Sequence, residues 1–221
     1  MIFRSFLAVV SGLLVATSAV AAKSKDSDAA AAPALPTLVD PDQSHSPEDV
    51  LLLDLSNGGT VAIRLMPAWA PAHVERIKTL AGQGFYNGVI FHRVIEDFMA
   101  QTGDPTGTGA GGSEFPDLKA EFNSMPHLRG TISAARTSDP DSANSQFFIV
   151  FYPRFSLDKK YTVFGRVIAG MDAVDRIERG EPPENPTRIL RARMANQPAA
   201  PLPVPAEAAI SVDDLNNSQS D

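Results

Sequence analysis

The segment 91–104, FHRVIEDFMAQTGD, is the feature that most restricts what this chain can fold into. Its apolar positions predict two short strands, 91–95 and 98–101, joined by a tight acidic turn. Because side chains alternate along a strand, Arg93 should share one face with Phe91 and Ile95. Arginine is rarely buried without a partner. The pattern therefore predicts that Arg93 lies at the rim of a pocket.

Strand patterns recur along the rest of the chain and predict a mainly β fold. Residues 50–55 and 60–65 flank Asn57-Gly58-Gly59, a sequence typical of a hairpin turn. Other strand patterns cover 131–135, 146–151, 161–167 and 188–194. Helical spacing follows Pro71 as far as Gly82 and recurs over 172–177. Many short strands with two helices predict a closed antiparallel barrel.

The N-terminal region predicts export followed by a linker. Arg4, an apolar stretch over 6–15 and Ala19-Val20-Ala21 form the pattern of a signal peptide, 1–21, cleaved after Ala21 or Ala22. An uncleaved anchor is the alternative, but the apolar run is shorter than the ~20 residues of a membrane span. We expect no stable membrane insertion after cleavage. Residues 22–47, rich in Ala, Pro, Ser and Asp, predict a flexible linker. The protein should be periplasmic if its source is Gram-negative, and secreted otherwise.

Charge and residue usage exclude several classes of function. Residues 48–195, the predicted domain, contain 18 acidic and 16 basic residues, and 197–221 contain four acidic residues and no basic one. The tail, 196–221, is rich in Pro and Ala and is predicted to be disordered. With a net charge of −7, no nucleic-acid partner is expected. The absence of cysteine rules out disulfides and thiol nucleophiles.

Metal and hydrolase chemistry are also disfavoured. No metal-ligand spacing is found among the four histidines, which are His45, His73, His92 and His127. We therefore expect no metal and no cofactor. Ser133, His92 and Asp104 could be combined into a hydrolase triad, but no nucleophile-elbow pattern surrounds any serine.

Two blocks of sequence resemble the two halves of one known active site. The first is FHRVI followed by FMAQ and GD, and the second is GTISAAR at 130–136 followed by SQFFI at 145–149. In this order the blocks resemble the cyclophilins, which are peptidyl-prolyl cis-trans isomerases, over roughly 48–195. The resemblance implies a closed eight-stranded antiparallel barrel capped by two α-helices, with its groove on the outer surface. It also implies a monomer that acts on unfolded or proline-containing polypeptides.

The resemblance assigns roles to individual residues. The catalytic residues would be Arg93, Phe98, Gln101 and Phe148. The substrate-binding residues would be Met99, Ala135, Arg136, Gln146, Phe155, Leu157 and Tyr161. Gln101 would orient Arg93, and the backbone of Ala135 and Arg136 would pair with the peptide. Judged without the resemblance, the apolar residues could be ordinary core, and Arg93 could form a surface ion pair with Glu96 or Asp97.

Such an isomerase needs no nucleophile or metal. An X–Pro bond rotates slowly because its partial double bond gives a barrier of ~18–20 kcal/mol. Twisting the amide makes the prolyl nitrogen a better hydrogen-bond acceptor, so a donor placed there stabilises the twisted form selectively. Arg93 is the candidate donor, because its guanidinium is always protonated.

Two positions depart from the familiar cyclophilin pattern. Where the family often has a tryptophan, this chain has Ser156 with Phe155 beside it, and its only tryptophan is Trp69. Where the family often has a histidine, this chain has Tyr161. These changes predict weak binding of the family's inhibitor, cyclosporin, without loss of the Arg93 chemistry.

The sequence thus predicts an exported prolyl isomerase that assists protein folding in the cell envelope. One alternative is a proline-binding chaperone or scaffold that has the groove but little turnover. Another is a structural domain tethered to the envelope, which would bind no peptide.

Overall fold

The computed structural model describes residues 45–198. The predicted signal peptide (1–21), nearly all of the linker (22–47) and most of the tail (196–221) lie outside the described residues, so those assignments stay predictions. Within residues 45–198, no helix is both long enough and apolar enough to cross a membrane.

Eight strands form a single antiparallel sheet. They are β1 (Val50–Leu55), β2 (Thr60–Leu65), β3 (Arg93–Ile95), β4 (Met99–Thr102), β5 (Thr131–Ala134), β6 (Phe147–Val150), β7 (Val163–Ala169) and β8 (Ile189–Met194). Their order in the sheet is β3-β4-β6-β5-β7-β2-β1-β8. Two α-helices, α1 (Pro71–Gly82) and α2 (Met171–Asp175), accompany the sheet, together with a short 3-10 turn at Phe155–Leu157. The predicted mainly β class, with eight antiparallel strands and two helices, is confirmed.

The prediction of a closed barrel was slightly overstated, because the sheet curls into a half-barrel with β3 and β8 at its two ends. A few backbone hydrogen bonds link these ends. The N–H groups of Gly88 and Phe91 donate to the carbonyls of Ile189 and Thr187 at 2.7 and 2.9 Å. These bonds lie ahead of β3, where the chain forms a turn and an isolated bridge, and they do not continue as a ladder.

Strand alternation builds the core. Leu51, Leu53 and Leu55 of β1 are almost completely buried and belong to the same cluster as the buried residues of β2 and α1. A second, smaller cluster contains Met99 and Phe148 and lies apart from the main core. Phe98, Leu157 and Tyr161 pack against this cluster and are only partly buried, so the cluster reaches the protein surface.

The predicted common face of Phe91 and Arg93 is wrong. Phe91 is fully buried in the main core together with Val94, whereas Arg93 is only partly buried. The strand begins at Arg93, and Phe91 lies in the segment that bonds to Thr187. The alternation of side chains between the two faces of β3 therefore does not include Phe91.

Removing both ends of the chain should leave the domain intact. Both ends of the described region are held, because Ala195 N–H donates to the Val50 carbonyl at 2.8 Å and Lys78 pairs with Asp49 at 2.6 Å. We expect a protein limited to residues 45–198 to melt within a few degrees of the chain starting at residue 22, since the removed segments cannot bury a core. Thermal unfolding of both proteins measures this. A drop of more than about 10 °C, well beyond the ~2–4 °C of a 1 kcal/mol change, would show that a terminal segment docks on the sheet.

Candidate active site

A pocket with a volume of about 100 Å³ opens on the outer surface beside β3, β4 and β6. It is lined by Arg93, Phe98, Met99, Gln101, Ala135, Arg136, Phe148, Leu157 and Tyr161. All nine are among the eleven residues predicted for the site. The other two are Gln146, which borders a neighbouring cavity, and Phe155, which lines neither cavity.

Strand register brings the key side chains together. Arg93 of β3 lies opposite Gln101 of β4, and Gln101 lies opposite Phe148 of β6. Residues directly opposite each other in antiparallel strands share one face of the sheet. Arg93, Gln101 and Phe148 therefore form a row across three strands, although they are far apart in sequence.

Aromatic side chains form the apolar part of the pocket. The Phe148 ring lies 6.5 Å from the Phe98 ring and 5.9 Å from the Tyr161 ring, the latter pair at 80°. Met99 is 1% exposed and lies in the same cluster. Such edge-to-face contacts fix ring positions. Met99 and Phe148 are buried, but they pack in a cluster that is separate from the main core and borders the pocket.

Arg93 forms an ion pair, but not with the partners considered from the sequence. Its Nε donates to Glu181 Oε2 at 2.8 Å, and the two side chains are 42% and 51% exposed. Glu96 pairs instead with Arg179 at 2.8 Å. Arg93 thus lines the pocket, and its Nε is bonded to Glu181, which does not line the pocket.

Gln101, which was predicted to orient Arg93, lies opposite it in the strand register, but its side-chain amide bonds to Gln146. Its Nε2 donates to Gln146 Oε1 at 2.8 Å. Gln146 in turn donates through its own Nε2 to the carbonyls of Gly109 and Gly111, at 3.0 and 2.7 Å. Because the Gln146 amide nitrogen bonds to this glycine-rich loop, the Gln146 amide oxygen is the atom that faces Gln101. Gln101 therefore connects the pocket to the glycine-rich loop.

Asp104 organises this glycine-rich loop. Its carboxylate is fully buried and accepts hydrogen bonds from the N–H groups of Thr106, Gly109 and Gly111, at 2.7, 2.6 and 3.1 Å. Burial by itself raises the pKa of Asp104, but these bonds and one from the Thr106 hydroxyl outweigh it and lower the pKa to about 2. The loop borders a second cavity of about 570 Å³, which Gln101 and Gln146 also line.

Protonation of Asp104 should destabilise the protein. Its pKa is lower in the folded protein than the ~3.9 of an unfolded chain, so its contribution is fully present above about pH 4 and is lost as the pH falls towards 2. At about 1.4 kcal/mol per pKa unit, Asp104→Asn should lower the free energy of unfolding by about 2 kcal/mol at pH 7. Denaturant unfolding from pH 2 to 7 measures both effects. Asp172→Asn, which alters an exposed i,i+4 pair, is the control and should change stability much less. Equal acid sensitivity in wild type and Asp104→Asn would contradict the assignment.

The triad considered from the sequence is not assembled. Asp104 is committed to its loop, and Ser133 is next to His127 rather than His92. His127 places Nε2 3.1 Å from Ser133 Oγ and Nδ1 2.8 Å from Asp158 Oδ1. Ser133 is completely buried and donates to the Thr162 carbonyl at 3.0 Å. A substrate cannot reach it, so this constellation is not a hydrolase site.

The buried His127 packs against the pocket residue Phe148. Its ring stacks on Phe148 at 6.3 Å and 17°, and its carbonyl accepts from Arg154 N–H at 2.8 Å, next to the Phe155–Leu157 turn. Burial lowers the pKa of His127, against the opposing effect of Asp158. Sequence reasoning missed this role, because 31 residues separate His127 from Asp158 and no local pattern joins them.

The backbone of Ala135 is only partly available to a peptide. Its N–H donates to the Gln146 carbonyl at 3.0 Å, so the predicted pairing with substrate could use its carbonyl but not its amide. Arg136 supports the pocket wall, because its guanidinium lies 4.4 Å above the Tyr161 ring and donates to the Lys160 carbonyl at 2.8 Å.

Phe155 does not take the predicted place beside the pocket. Its side chain is 64% exposed, and the neighbouring Ser156 is also exposed. Of the residues in this turn, only Leu157 lines the pocket.

The described residues contain no group of three His, Asp or Glu side chains that could hold a metal ion.

Comparison with known proteins identifies the class to which this fold and pocket belong. The family model described as "Cyclophilin type peptidyl-prolyl cis-trans isomerase/CLD" matches residues 51–194. The chain is 48% identical over 162 residues to a probable peptidyl-prolyl cis-trans isomerase of Brucella suis, covering 66% of this chain and 82% of that protein. It is 42% identical over 147 residues to peptidyl-prolyl cis-trans isomerase-like 1 of Aspergillus niger, covering 63% and 91%.

Solved structures agree. Cyclophilin AquaCyp293 from Hirschia baltica matches with a TM-score of 0.66 and 29% identity, covering 71% of this chain and 77% of that one. A Cryptosporidium parvum cyclophilin type isomerase, crystallised in the presence of the dipeptide Ala-Pro, matches with a TM-score of 0.61 and 26% identity, covering 66% and 98%. The chain therefore belongs to the cyclophilin type peptidyl-prolyl cis-trans isomerase family. It is an enzyme of that class.

Proposed function

We propose that this isomerase rotates X–Pro bonds in unfolded or proline-containing polypeptides and so assists protein folding in the cell envelope. The observation that carries the proposal is the small aromatic pocket with Arg93 on its lining. The Cryptosporidium relative crystallised with Ala-Pro supports a proline-containing ligand. The signal-peptide pattern of residues 1–21 supports export, and the monomeric state predicted from the family resemblance is part of the same proposal.

The pocket would grip the prolyl ring. Phe98, Met99, Phe148 and Leu157 offer apolar surface on its lining, and the Tyr161 ring stands edge-on to Phe148. Burying an apolar ring in such a site is favourable. Isomerisation is a rotation about the C–N bond of the amide. If the pocket holds the prolyl ring in place, the residue before proline can rotate relative to it.

Arg93 would supply the transition-state interaction. Of the five N–H donors of a guanidinium, the one on Nε is taken by Glu181, and the remainder are carried by the two Nη atoms. A donor directed at the prolyl nitrogen gains strength only when the amide twists and loses conjugation. It therefore lowers the barrier without stabilising the planar ground state to the same extent.

The flanking chain would extend towards the second cavity. Gln101, Ala135 and Arg136 line both cavities, so they form a continuous border along which an extended peptide fits. The network from Gln101 through Gln146 to the Asp104 loop holds this border in place.

Refolding of a protein limited by prolyl isomerisation tests the folding role. The chain starting at residue 22 should accelerate the slow refolding phase catalytically, at substoichiometric concentration, and Arg93→Ala should not. A proline-binding chaperone or scaffold would instead need stoichiometric amounts and would be insensitive to Arg93→Ala. N-terminal sequencing of the protein recovered from the cell envelope tests export, with Ala22 or Lys23 expected as the first residue.

A further inference from the structure

The ion pair between Arg93 and Glu181 occupies an unusual position. Glu181 Oε2 accepts from Arg93 Nε at 2.8 Å, and the side chains are separated by 88 positions in the sequence. Exposed ion pairs usually contribute little, because two long side chains must be ordered to form them. One partner of this pair, Glu181, lies on a backbone segment, 179–183, that is hydrogen-bonded to β3.

Backbone contacts fix the 179–183 segment beside β3. Gly180 N–H donates to the Val94 carbonyl at 2.9 Å, and Val94 N–H donates to the Gly180 carbonyl at 2.8 Å. After Glu181, the rings of Pro182 and Pro183 restrict the backbone, and Pro183 is buried. A Cβ atom added to Gly180 would lie only 2.5 Å from Pro183 Cα, so the segment is tightly folded.

Arg179 anchors the same segment from the other side. Its Nε donates to Glu96 at 2.8 Å, one of its Nη atoms donates to the Ile177 carbonyl at 2.6 Å, and its guanidinium lies 4.4 Å above the Phe151 ring. These contacts fix the backbone from which the Glu181 carboxylate reaches Arg93.

We infer that Glu181 is a positioning residue for Arg93, an inference that rests on the proposed role of Arg93 in isomerisation. A bond at Nε fixes one edge of the planar guanidinium and leaves the N–H groups of both Nη atoms for the substrate amide. A donor held in place before the amide twists costs no reorganisation in the transition state. Gln101, the residue predicted for this task, is bonded to Gln146 instead.

Kinetics of short X–Pro peptide isomerisation test the inference in the chain starting at residue 22. Glu181→Ala should lower kcat/KM about three- to fivefold, the upper range for an exposed ion pair, and mainly through kcat. Glu181→Gln keeps an oxygen acceptor for Arg93 Nε and should retain more than about half of the activity. The matched control is Asp175→Ala, which removes the partner of Arg129 in a pair of similar exposure, 43% and 42%. It should leave kcat/KM unchanged.

A double-mutant cycle separates positioning from a structural role. If Glu181 acts through Arg93, then Glu181→Ala should have no further effect in an Arg93→Ala protein. The same fold loss in both backgrounds, or wild-type activity in Glu181→Ala, would overturn the inference while leaving the role of Arg93 intact. Full activity of Arg93→Ala would instead overturn the proposed mechanism, and the positioning role with it.

Discussion

Replacing Arg93 with alanine should lower kcat/KM for a short X–Pro peptide by about a hundredfold or more, which is the usual effect of removing one preorganised transition-state donor. This corresponds to about 2.7 kcal/mol of transition-state stabilisation. The loss should appear mainly in kcat, because the aromatic side chains that bind the prolyl ring are untouched. The melting temperature should barely change, because the Arg93 side chain is 42% exposed and its ion pair lies at the surface.

Two variants control for charge and folding. Arg129→Ala removes an arginine of equal exposure, 43%, from an ion pair with Asp175 outside the pocket, and it should retain full activity. Arg93→Lys keeps the positive charge but loses the planar fork of donors, so we expect it to recover only a small part of the loss. A folded Arg93→Ala protein with wild-type kcat/KM would contradict the mechanism outright.

Cyclosporin should bind this isomerase weakly. In familiar cyclophilins the drug contacts a tryptophan, which offers a rigid apolar face and an N–H donor, and here that position is Ser156. The structure provides no substitute nearby, because Ser156 is exposed and Phe155, 64% exposed, lines neither cavity. A polar group of the drug left without its partner costs ~1–3 kcal/mol, or roughly five- to 150-fold in affinity.

Ser156→Trp should recover part of the missing affinity. The exposed position accepts a large side chain without displacing the core, so the variant should fold and keep its activity on X–Pro peptides. Phe155→Ala is the control, and it should change drug affinity little because that ring lies outside the pocket lining. Isothermal titration of all three proteins with cyclosporin measures the effect. Inhibition of the unmodified protein at roughly nanomolar drug would show that the alignment at Ser156 is wrong.

The sequence alone was sufficient for most of the secondary structure. The hairpin 50–65 and helix α1 (Pro71–Gly82) have the predicted bounds, because alternation, the Asn57-Gly58-Gly59 turn and a proline at the helix start are local signals. The family resemblance named eleven site residues, nine of which line the pocket. Strand ends were less accurate. β3 is only three residues long, and Phe91 belongs to the core instead of the pocket face.

Only the tertiary structure decided how the pocket residues are held. Arg93 bonds to Glu181 across 88 positions, Gln101 to Gln146 across 45, and His127 to Asp158 across 31. Local patterns indicate where strands and helices form, but the partner of each side chain depends on which strands and loops become neighbours. In the order β3-β4-β6-β5, the end strand β3 leaves Val94 to pair with Gly180 of a distant loop. The pairing of Val94 with Gly180 places Glu181 beside Arg93. No periodicity along the chain predicts this pairing.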